Sequence, residues 1–184
     1  MPKTCHCGAT ASISALITGG FTIERREPMV CCFTGPRAFP WKEESIQHRD
    51  VLRQLDAAIL QAIELGATHF LCGNAIGVDT WAAELLIRQK KQHPELFLEI
   101  ALPFASHNER EFACCAVCQL ADWVHVVGNA KCRRAAFYQR DRYLVDHSGL
   151  LIAVESLVFG GTTRTVQMAR AKDIPILRIH SSSS

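Results

Sequence analysis

The chain has 184 residues, of which 48% are hydrophobic and 21% are charged, and these proportions are ordinary for a folded globular protein. Such a length suits one domain with a substantial core. A formal net charge of +2 argues against a protein built to coat nucleic acid, although a local basic patch is compatible with it. The sequence has no uninterrupted run of about 18 apolar residues and no recognisable signal peptide, so we expect a cytoplasmic protein without a membrane span.

The sequence divides into a leader, a body and a tail. Residues 1–28 contain a weakly apolar stretch and the charged run Glu24–Glu27, and a hairpin, an arm onto a partner or disorder would each explain them. Residues 29–180 carry the alternating pattern of one domain, and residues 181–184 are a short serine tail.

In the body, short apolar runs alternate with segments of helical periodicity. The first helix carries Leu52, Leu55 and Ile59 on one side and ends before Gly66. The expected strands are 29–34, 68–72, 96–102, 123–127, 150–154 and 174–179, and the later expected helices are 80–91, 109–120, 135–146 and 165–172. This alternation predicts an α/β fold, with a doubly wound, mostly parallel sheet of about six strands and helices on both faces.

The nine cysteines are an odd number. Because the chain shows no export signal, we expect free and mostly buried thiols rather than a disulfide framework. Cys5 and Cys7 would need further ligands from elsewhere to bind a metal ion. Cys115 and Cys118 share one face of a predicted helix, but buried thiols are the stronger interpretation, so we predict no metal site.

Three glycine-containing loops follow predicted strands, at the sheet edge where parallel sheets bind ligands. The loops are Thr34–Arg37, which includes Gly35; Gly73–Asp79, which includes Asn74 and Gly77; and Gly160–Thr162, which includes Gly161. Glycines let backbone N–H groups turn toward a ligand, and a helix N-terminus favours negative charge. We therefore predict a site for a nucleotide-type ligand, with Arg37 gripping a phosphate.

The same residues also have structural interpretations. Asp79 suits helix capping as well as a hydrogen bond to ribose, and Trp81 suits the core better than base stacking. The second loop matches neither the dinucleotide fingerprint nor a Walker loop, so hydride transfer and NTP hydrolysis by those routes are not indicated. Glu155, just past the fifth strand, is better placed for function than Asp122 or Asp146.

Five cations lie between Lys131 and Arg142, with only Asp141 against them. The usual meaning of such a run is a solvated helix face. Because this run follows the fourth strand, part of it can border the phosphate region.

Taken together and in order, these loops resemble the YpsA-like branch of the SLOG superfamily, a Rossmann-like group that also includes the DNA-processing protein DprA and the LOG phosphoribohydrolases. The matching pieces, within Met29–Ile179, are Cys32–Gly35 with Arg37, Gly73–Asp79 with Trp81, Ala101–Phe104, Arg140–Asp146 and Gly160–Thr162. The resemblance implies a Rossmann-like fold and a ligand of the NAD or ADP-ribose kind.

Two departures from the family patterns bear on the chemistry. Pro36 stands where the YpsA-like pattern has a histidine, so any role of that histidine as a donor or an acid/base is absent. Aligning Gly160 and Gly161 with the paired glycines of the LOG motif places Gln167 on its glutamate, and an amide cannot transfer a proton as a carboxylate does. This argues against LOG-type cleavage of a base–ribose bond unless Glu155 or Asp79 substitutes.

Three hypotheses follow for the function. The first is a module that senses or sequesters a nucleotide-derived ligand; the second is an N-glycoside hydrolase of a nucleoside 5'-phosphate or nucleotide sugar, with Glu155 and Asp79 as candidate catalytic carboxylates. The third is DprA-like single-stranded DNA binding, which the near-neutral charge and the lack of an exposed aromatic series disfavour. The sequence is also compatible with a homo-oligomer.

The candidate ligand-binding residues are Thr34, Gly35, Arg37, Gly73, Asn74, Gly77, Asp79, Pro103, Phe104, Arg140, Gly160, Gly161 and Thr162.

Overall fold

A computed structural model describes residues 28–105, 115–128, 132–155 and 160–181. The predicted leader, except for Pro28, and the first part of the helix predicted at 109–120 lie outside these residues. None of the helices in the described ranges is both long enough and apolar enough to cross a membrane.

Strands and helices alternate along the described residues. The strands are Met29–Thr34 (β1), Ala67–Cys72 (β2), Phe97–Leu102 (β3), Trp123–Val126 (β4), Leu150–Glu155 (β5) and Ile176–His180 (β6). The helices are Ile46–Glu64 (α1), Val78–Gln89 (α2), Cys115–Leu120 (α3), Arg133–Asp146 (α4) and Gly161–Arg170 (α5). All six strands pair in parallel in the order β4-β3-β2-β1-β5-β6, which confirms the predicted α/β sheet.

The sheet is covered on both faces, as predicted. One apolar cluster joins the sheet to α1, α2 and α3 through residues such as Leu55, Leu86 and Val117. A smaller cluster joins the opposite face to α4 and α5 through residues such as Leu144 and Val166. Strands that are buried on both faces read as continuous apolar runs, and this explains why the strands were recognisable in the sequence.

The strand order reverses at β1, which lies between β2 and β5. The chain builds outward from β1 to β4 on one side and then returns to add β5 and β6 on the other. In open α/β sheets, ligands bind in the crevice at the carboxyl ends of the strands where the order reverses. The topology therefore opens a crevice between the segments that follow β1 and β5.

Three helices begin earlier than the sequence pattern predicts. α2 begins at Val78 rather than Thr80, α4 begins at Arg133 rather than Ala135, and α5 begins at Gly161 rather than Thr165. Glycine and threonine are poor helix formers, so propensity alone does not reveal this first turn of α5. The Thr165 hydroxyl donates a hydrogen bond to the Gly161 carbonyl and closes that turn. The third glycine loop is thus itself the N-terminus of a helix.

Candidate functional site

A cavity of about 560 Å³ opens at the carboxyl edge of the sheet, beside the point where the strand order reverses. Its walls come from the loop after β1, the start of α2, one face of α4 and the first turn of α5. Of the thirteen candidate ligand-binding residues, eight line the cavity: Thr34, Gly35, Arg37, Asp79, Arg140, Gly160, Gly161 and Thr162. The structure brings these residues together, and that they bind a ligand stays a prediction.

The other five candidates do not line the cavity: Gly73, Asn74, Gly77, Pro103 and Phe104. Asn74 is fully buried, and its Nδ2 donates to the Cys118 sulfur at 3.2 Å. Phe104 packs edge to face on Phe137, with ring centroids 5.6 Å apart. The Phe137 ring forms part of the cavity wall, so Phe104 contacts that wall without lining the cavity itself.

The glycines of the first two loops allow close packing between those loops. A Cβ at Gly35 would overlap the Val78 side chain, and a Cβ at Gly77 would lie 2.6 Å from the Pro36 carbonyl oxygen. The N–H of Val78 donates to that same carbonyl at 3.3 Å. The absence of a side chain at Gly35 and Gly77 lets the loop after β1 pack directly on the start of α2, and that these glycines turn N–H groups toward a ligand stays a prediction.

Asp79 holds the second loop instead of capping α2. The N-cap position is Gly77, and no side chain caps this helix. The Asp79 Oδ2 atom accepts a hydrogen bond from the Ala75 N–H at 3.2 Å. Burial raises the pKa of the Asp79 carboxyl above its ordinary value, and the neighbouring Arg140 opposes that rise.

Positive charge dominates the cavity wall. Two aspartates and five arginines line it: Asp79, Asp141, Arg37, Arg133, Arg134, Arg140 and Arg164. Arg140 is only 5% exposed and pairs with both acids, through Nη1 to Asp79 at 3.4 Å and through Nε to Asp141 at 2.8 Å. Arg37, Arg134 and Arg164 form no ion pair with another described residue. The cavity therefore carries surplus positive charge.

Aromatic contacts position the Arg37 loop. The Arg37 guanidinium lies 4.7 Å from the centroid of the Phe137 ring, a distance suited to a cation–π contact. Two residues further on, Phe39 stacks on Trp41 and on Trp81, with centroids 4.3 and 5.4 Å apart. Trp81 is partly buried and packs against the core, so its interpretation as a packing residue is confirmed.

The first turn of α5 presents a helix N-terminus to the cavity through Gly160, Gly161 and Thr162. The helix has no capping side chain and no acidic residue in its first turn. The first N–H groups of a helix lack intrahelical partners and favour an anion. Of the three glycine loops, this is the one whose geometry matches the predicted anion site.

Glu155 and Gln167 lie elsewhere. Both line a separate cavity of about 250 Å³ on the other side of the first turn of α5. Glu155 accepts a hydrogen bond from Arg178 at 2.9 Å. Of the two candidate catalytic carboxylates that the hydrolase hypothesis names, Asp79 therefore lines the arginine-lined cavity and Glu155 does not.

Sequence reasoning did not single out Phe137, Leu144 or Arg164, which also line the cavity. Phe137, Arg140, Asp141 and Leu144 recur at spacings of three and four, which places them on one face of α4. This periodicity could have identified the cavity-facing side of α4, but the helix contains so many charged residues that its sequence is typical of a solvent-exposed helix.

Among the described cysteines, Cys31, Cys32 and Cys72 are buried and free, as predicted, whereas Cys132 is exposed. Burial raises the pKa of the Cys72 thiol well above its ordinary value, and this makes it a poor metal ligand. Within the described ranges, no three histidine, cysteine or acidic side chains are grouped to hold a metal ion.

Comparison with known proteins agrees with this architecture. Residues 31–174 match the sequence model of YpsA, described as the YspA SLOG family. The UPF0398 protein BH1768 of Halalkalibacterium halodurans is 32% identical over 84 residues, which are 44% of each chain. The chain spans about half the length of the curated relatives it matches.

Solved structures of DNA processing protein A have a similar fold. The protein from Helicobacter pylori, whose structure concerns its single-stranded DNA binding mode, aligns with a TM-score of 0.55 and 16% identity over 82% of this chain and 65% of its own. The protein from Streptococcus pneumoniae aligns with a TM-score of 0.55 and 18% identity over 85% of this chain and 51% of its own. Identities this low show the fold alone, whereas the family model covers most of the body. The chain therefore belongs to the YpsA family of SLOG proteins.

Proposed function

We propose that this chain senses or sequesters a nucleotide-derived ligand of the NAD or ADP-ribose kind in the arginine-lined cavity. The observation that carries the proposal is the surplus of positive charge in the cavity. Arg140 pairs with both aspartates, while Arg37, Arg134 and Arg164 form no ion pair with another described residue, so five arginines face two aspartates in the cavity wall. A ligand with phosphate groups supplies the missing negative charge.

The first turn of α5 adds a second source of affinity for phosphate. Its N–H groups border the same cavity as Arg37 and Arg164, and no side chain caps them. A phosphate at this turn would accept backbone hydrogen bonds and gain from the helix dipole. Guanidinium groups and a helix N-terminus would then grip the anion from different sides.

The size of the cavity and the position of Asp79 suit the remainder of a nucleotide. A volume of about 560 Å³ lies within the range of about 300–1,000 Å³ that small-molecule sites occupy. Both hydrogen-bonding contacts of the Asp79 carboxylate with described residues use Oδ2. The Oδ1 atom would then accept a hydrogen bond from a ribose hydroxyl.

Isothermal titration calorimetry with AMP, ADP-ribose and NAD tests the proposal. Arg37→Ala and Arg164→Ala are expected to weaken binding about tenfold each, because each removes a charge-assisted hydrogen bond to phosphate. Arg53→Ala is the matched control, since Arg53 is exposed on α1 and pairs with Asp50 away from the cavity. Failure of the wild type to bind any of the three ligands at millimolar concentration would contradict the proposal.

Single-stranded DNA is the second candidate ligand. The observation that favours it is the exposure of Arg37, Arg133 and Arg134 at the mouth of the cavity, where a phosphodiester backbone could reach them. The fold is shared with DNA processing protein A, one structure of which concerns single-stranded DNA binding. Titration with oligonucleotides of increasing length separates the candidates. DNA binding predicts that affinity rises with length and falls steeply with salt, with a slope of about −0.7 per phosphate contact.

A further inference from the structure

Arg134 and Arg164 lie on the boundary between two spaces. Both line the arginine-lined cavity, and both also line a neighbouring groove of about 440 Å³ together with Cys132, Ala135 and Tyr138. Because the two spaces share these side chains, they are adjacent. We call the second space the Tyr138 groove.

The Tyr138 side chain is 41% exposed. It lies one helical turn after Arg134 on α4, so the two side chains project from the same face of the helix. It makes no ring contact with another described residue, unlike Phe137 beside it. An exposed tyrosine ring offers a flat apolar surface on which a heterocycle can stack.

Arg134 and Arg164, which form no ion pair with another described residue, therefore lie between the cavity and an aromatic surface suited to stacking. A ligand that filled only the cavity would leave the Tyr138 groove empty and would use Arg134 and Arg164 from one side alone. A ligand with two ring-bearing halves would place its charged linkage where both arginines lie. Phosphate oxygens in that linkage suit the planar guanidinium groups.

We propose that the Tyr138 groove is a second subsite, which takes the second half of a dinucleotide-type ligand. The linking phosphates would lie between Arg134 and Arg164, and the second ring would stack on Tyr138. This inference rests on the proposed function, because the first half of the ligand occupies the arginine-lined cavity.

The probes are AMP and diadenosine diphosphate, which has two adenosine halves joined through phosphates. We expect the two-part probe to bind wild-type protein at least tenfold more tightly than AMP, since stacking on an aromatic side chain and the extra phosphate contact both add affinity. Tyr138→Ala should remove most of this advantage and leave the affinity for AMP within about twofold, whereas Tyr138→Phe should keep it. Thermal melting of each variant checks that the fold is intact.

Alkylation of Cys132 gives an independent readout, because this exposed thiol lines the groove. Diadenosine diphosphate should slow the reaction of iodoacetamide with Cys132, and AMP should not. In Tyr138→Ala the protection should be lost. Mass spectrometry of the labelled peptide measures the rate at this cysteine alone.

The outcomes distinguish this inference from the proposed function. Equal affinity for AMP and diadenosine diphosphate, or an equal loss of both in Tyr138→Ala, would overturn the second subsite while the cavity remained a nucleotide site. Absence of binding by both probes would overturn the second subsite, and the proposed function falls with it only if ADP-ribose and NAD also fail to bind. Affinity that keeps rising for oligonucleotides longer than two residues would overturn the two-part ligand in favour of a nucleic acid strand.

Discussion

Arg140 and Asp79 form an ion pair inside the protein, with the Nη1 atom of the arginine 3.4 Å from Oδ2 of the aspartate. The same Nη1 donates to the carbonyl of Gly73, and the Nε atom pairs with Asp141. The pair ties α4 to the start of α2 and to the end of β2. Arg140 therefore shapes the floor of the cavity, and two of its nitrogen atoms are already used within the protein.

Replacement of Arg140 tests how strongly this pair supports the fold. Arg140→Leu would leave the Asp79 carboxylate buried without its partner, and we expect a loss of about 3–5 kcal/mol in the free energy of unfolding. Arg142→Ala is the matched control on the same helix, because Arg142 is exposed and pairs with Asp146 in solvent, where the expected cost is within about 1 kcal/mol. Urea denaturation of both variants measures the difference.

A second substitution separates the loss of charge from the loss of packing. In the Arg140→Leu background, Asp79→Asn removes the unpaired charge and should recover part of the lost stability. Equal stability of the single and double variants would show that packing of the arginine, rather than its charge, supports the fold.

Gly73 is expected to tolerate no side chain. A Cβ at this position would overlap the Arg140 guanidinium, so Gly73→Ala should force the arginine away from Asp79. We expect a loss of about 1–3 kcal/mol, measured by denaturant titration, as in other overpacked interiors. Gly160→Ala is the control, because nothing lies within 4 Å of a Cβ built there and its φ of −170° is open to any residue. Equal effects at the two glycines would show that the overlap at Gly73 is relieved without cost.

We expect the stacking of Phe39 on Trp41 and Trp81 to protect the Arg37 loop from proteolysis. Phe39→Ala removes the ring that stacks on Trp41 and Trp81, and trypsin should then cut after Arg37 faster than in wild-type protein. Phe97→Ala is the control, since Phe97 lies at the start of β3, away from the cavity. Mass spectrometry of the fragments identifies the site of cleavage. An unchanged rate after Arg37 would mean that other contacts hold the loop.

We expect the contact between Glu99 and Tyr143 to make the free energy of unfolding decrease at alkaline pH. The buried Glu99 carboxylate accepts hydrogen bonds from the Tyr143 hydroxyl at 2.8 Å and contacts the Nε2 atoms of His69 and His125 at 2.8 and 2.7 Å. Burial and the adjacent carboxylate raise the pKa of Tyr143 from its ordinary value of 10.0 to about 12. Since the folded state holds this proton more tightly, the stabilisation is complete below about pH 10 and is lost as the pH rises toward about 12.

Urea midpoints measured from about pH 9 to about pH 11.5, a range that includes the ordinary tyrosine pKa of about 10, test this dependence. The midpoint of wild-type protein should fall over this range more steeply than that of Tyr143→Phe, which has no proton to lose. Glu99→Gln should also flatten the decline, because it removes the negative charge that opposes ionisation. Parallel curves for wild type and Tyr143→Phe would contradict the assignment.

The fold class followed from the sequence because its signals are local. A strand buried on both faces must be apolar throughout, and a helix on such a sheet must repeat its apolar side with helical spacing. Met29–Thr34 was therefore located to the residue. The first turn of α5 was missed because glycine and threonine are weak helix formers, and their role depends on what surrounds them.

The site was only half determined by the sequence. The order of strands and loops brought Arg37 and Gly160–Thr162 to one sheet edge, because parallel strands end on the same side. Which atoms face the cavity depended on contacts between distant segments. Gly77 packs on the Pro36 carbonyl, and Glu155 pairs with Arg178 in another cavity.

Burial of charge was decided by the tertiary structure alone. In the sequence, Arg140 is one of several cations in a run typical of a solvated helix. In the structure it is buried against its neighbour Asp141 and against Gly73 and Asp79, which lie 67 and 61 residues away along the chain. Glu99 interrupts an apolar strand and finds its partners on two neighbouring strands and on α4. Local periodicity specifies which elements form, whereas the pairing of charges at a site depends on how those elements pack, and that information is not contained in any single stretch of the sequence.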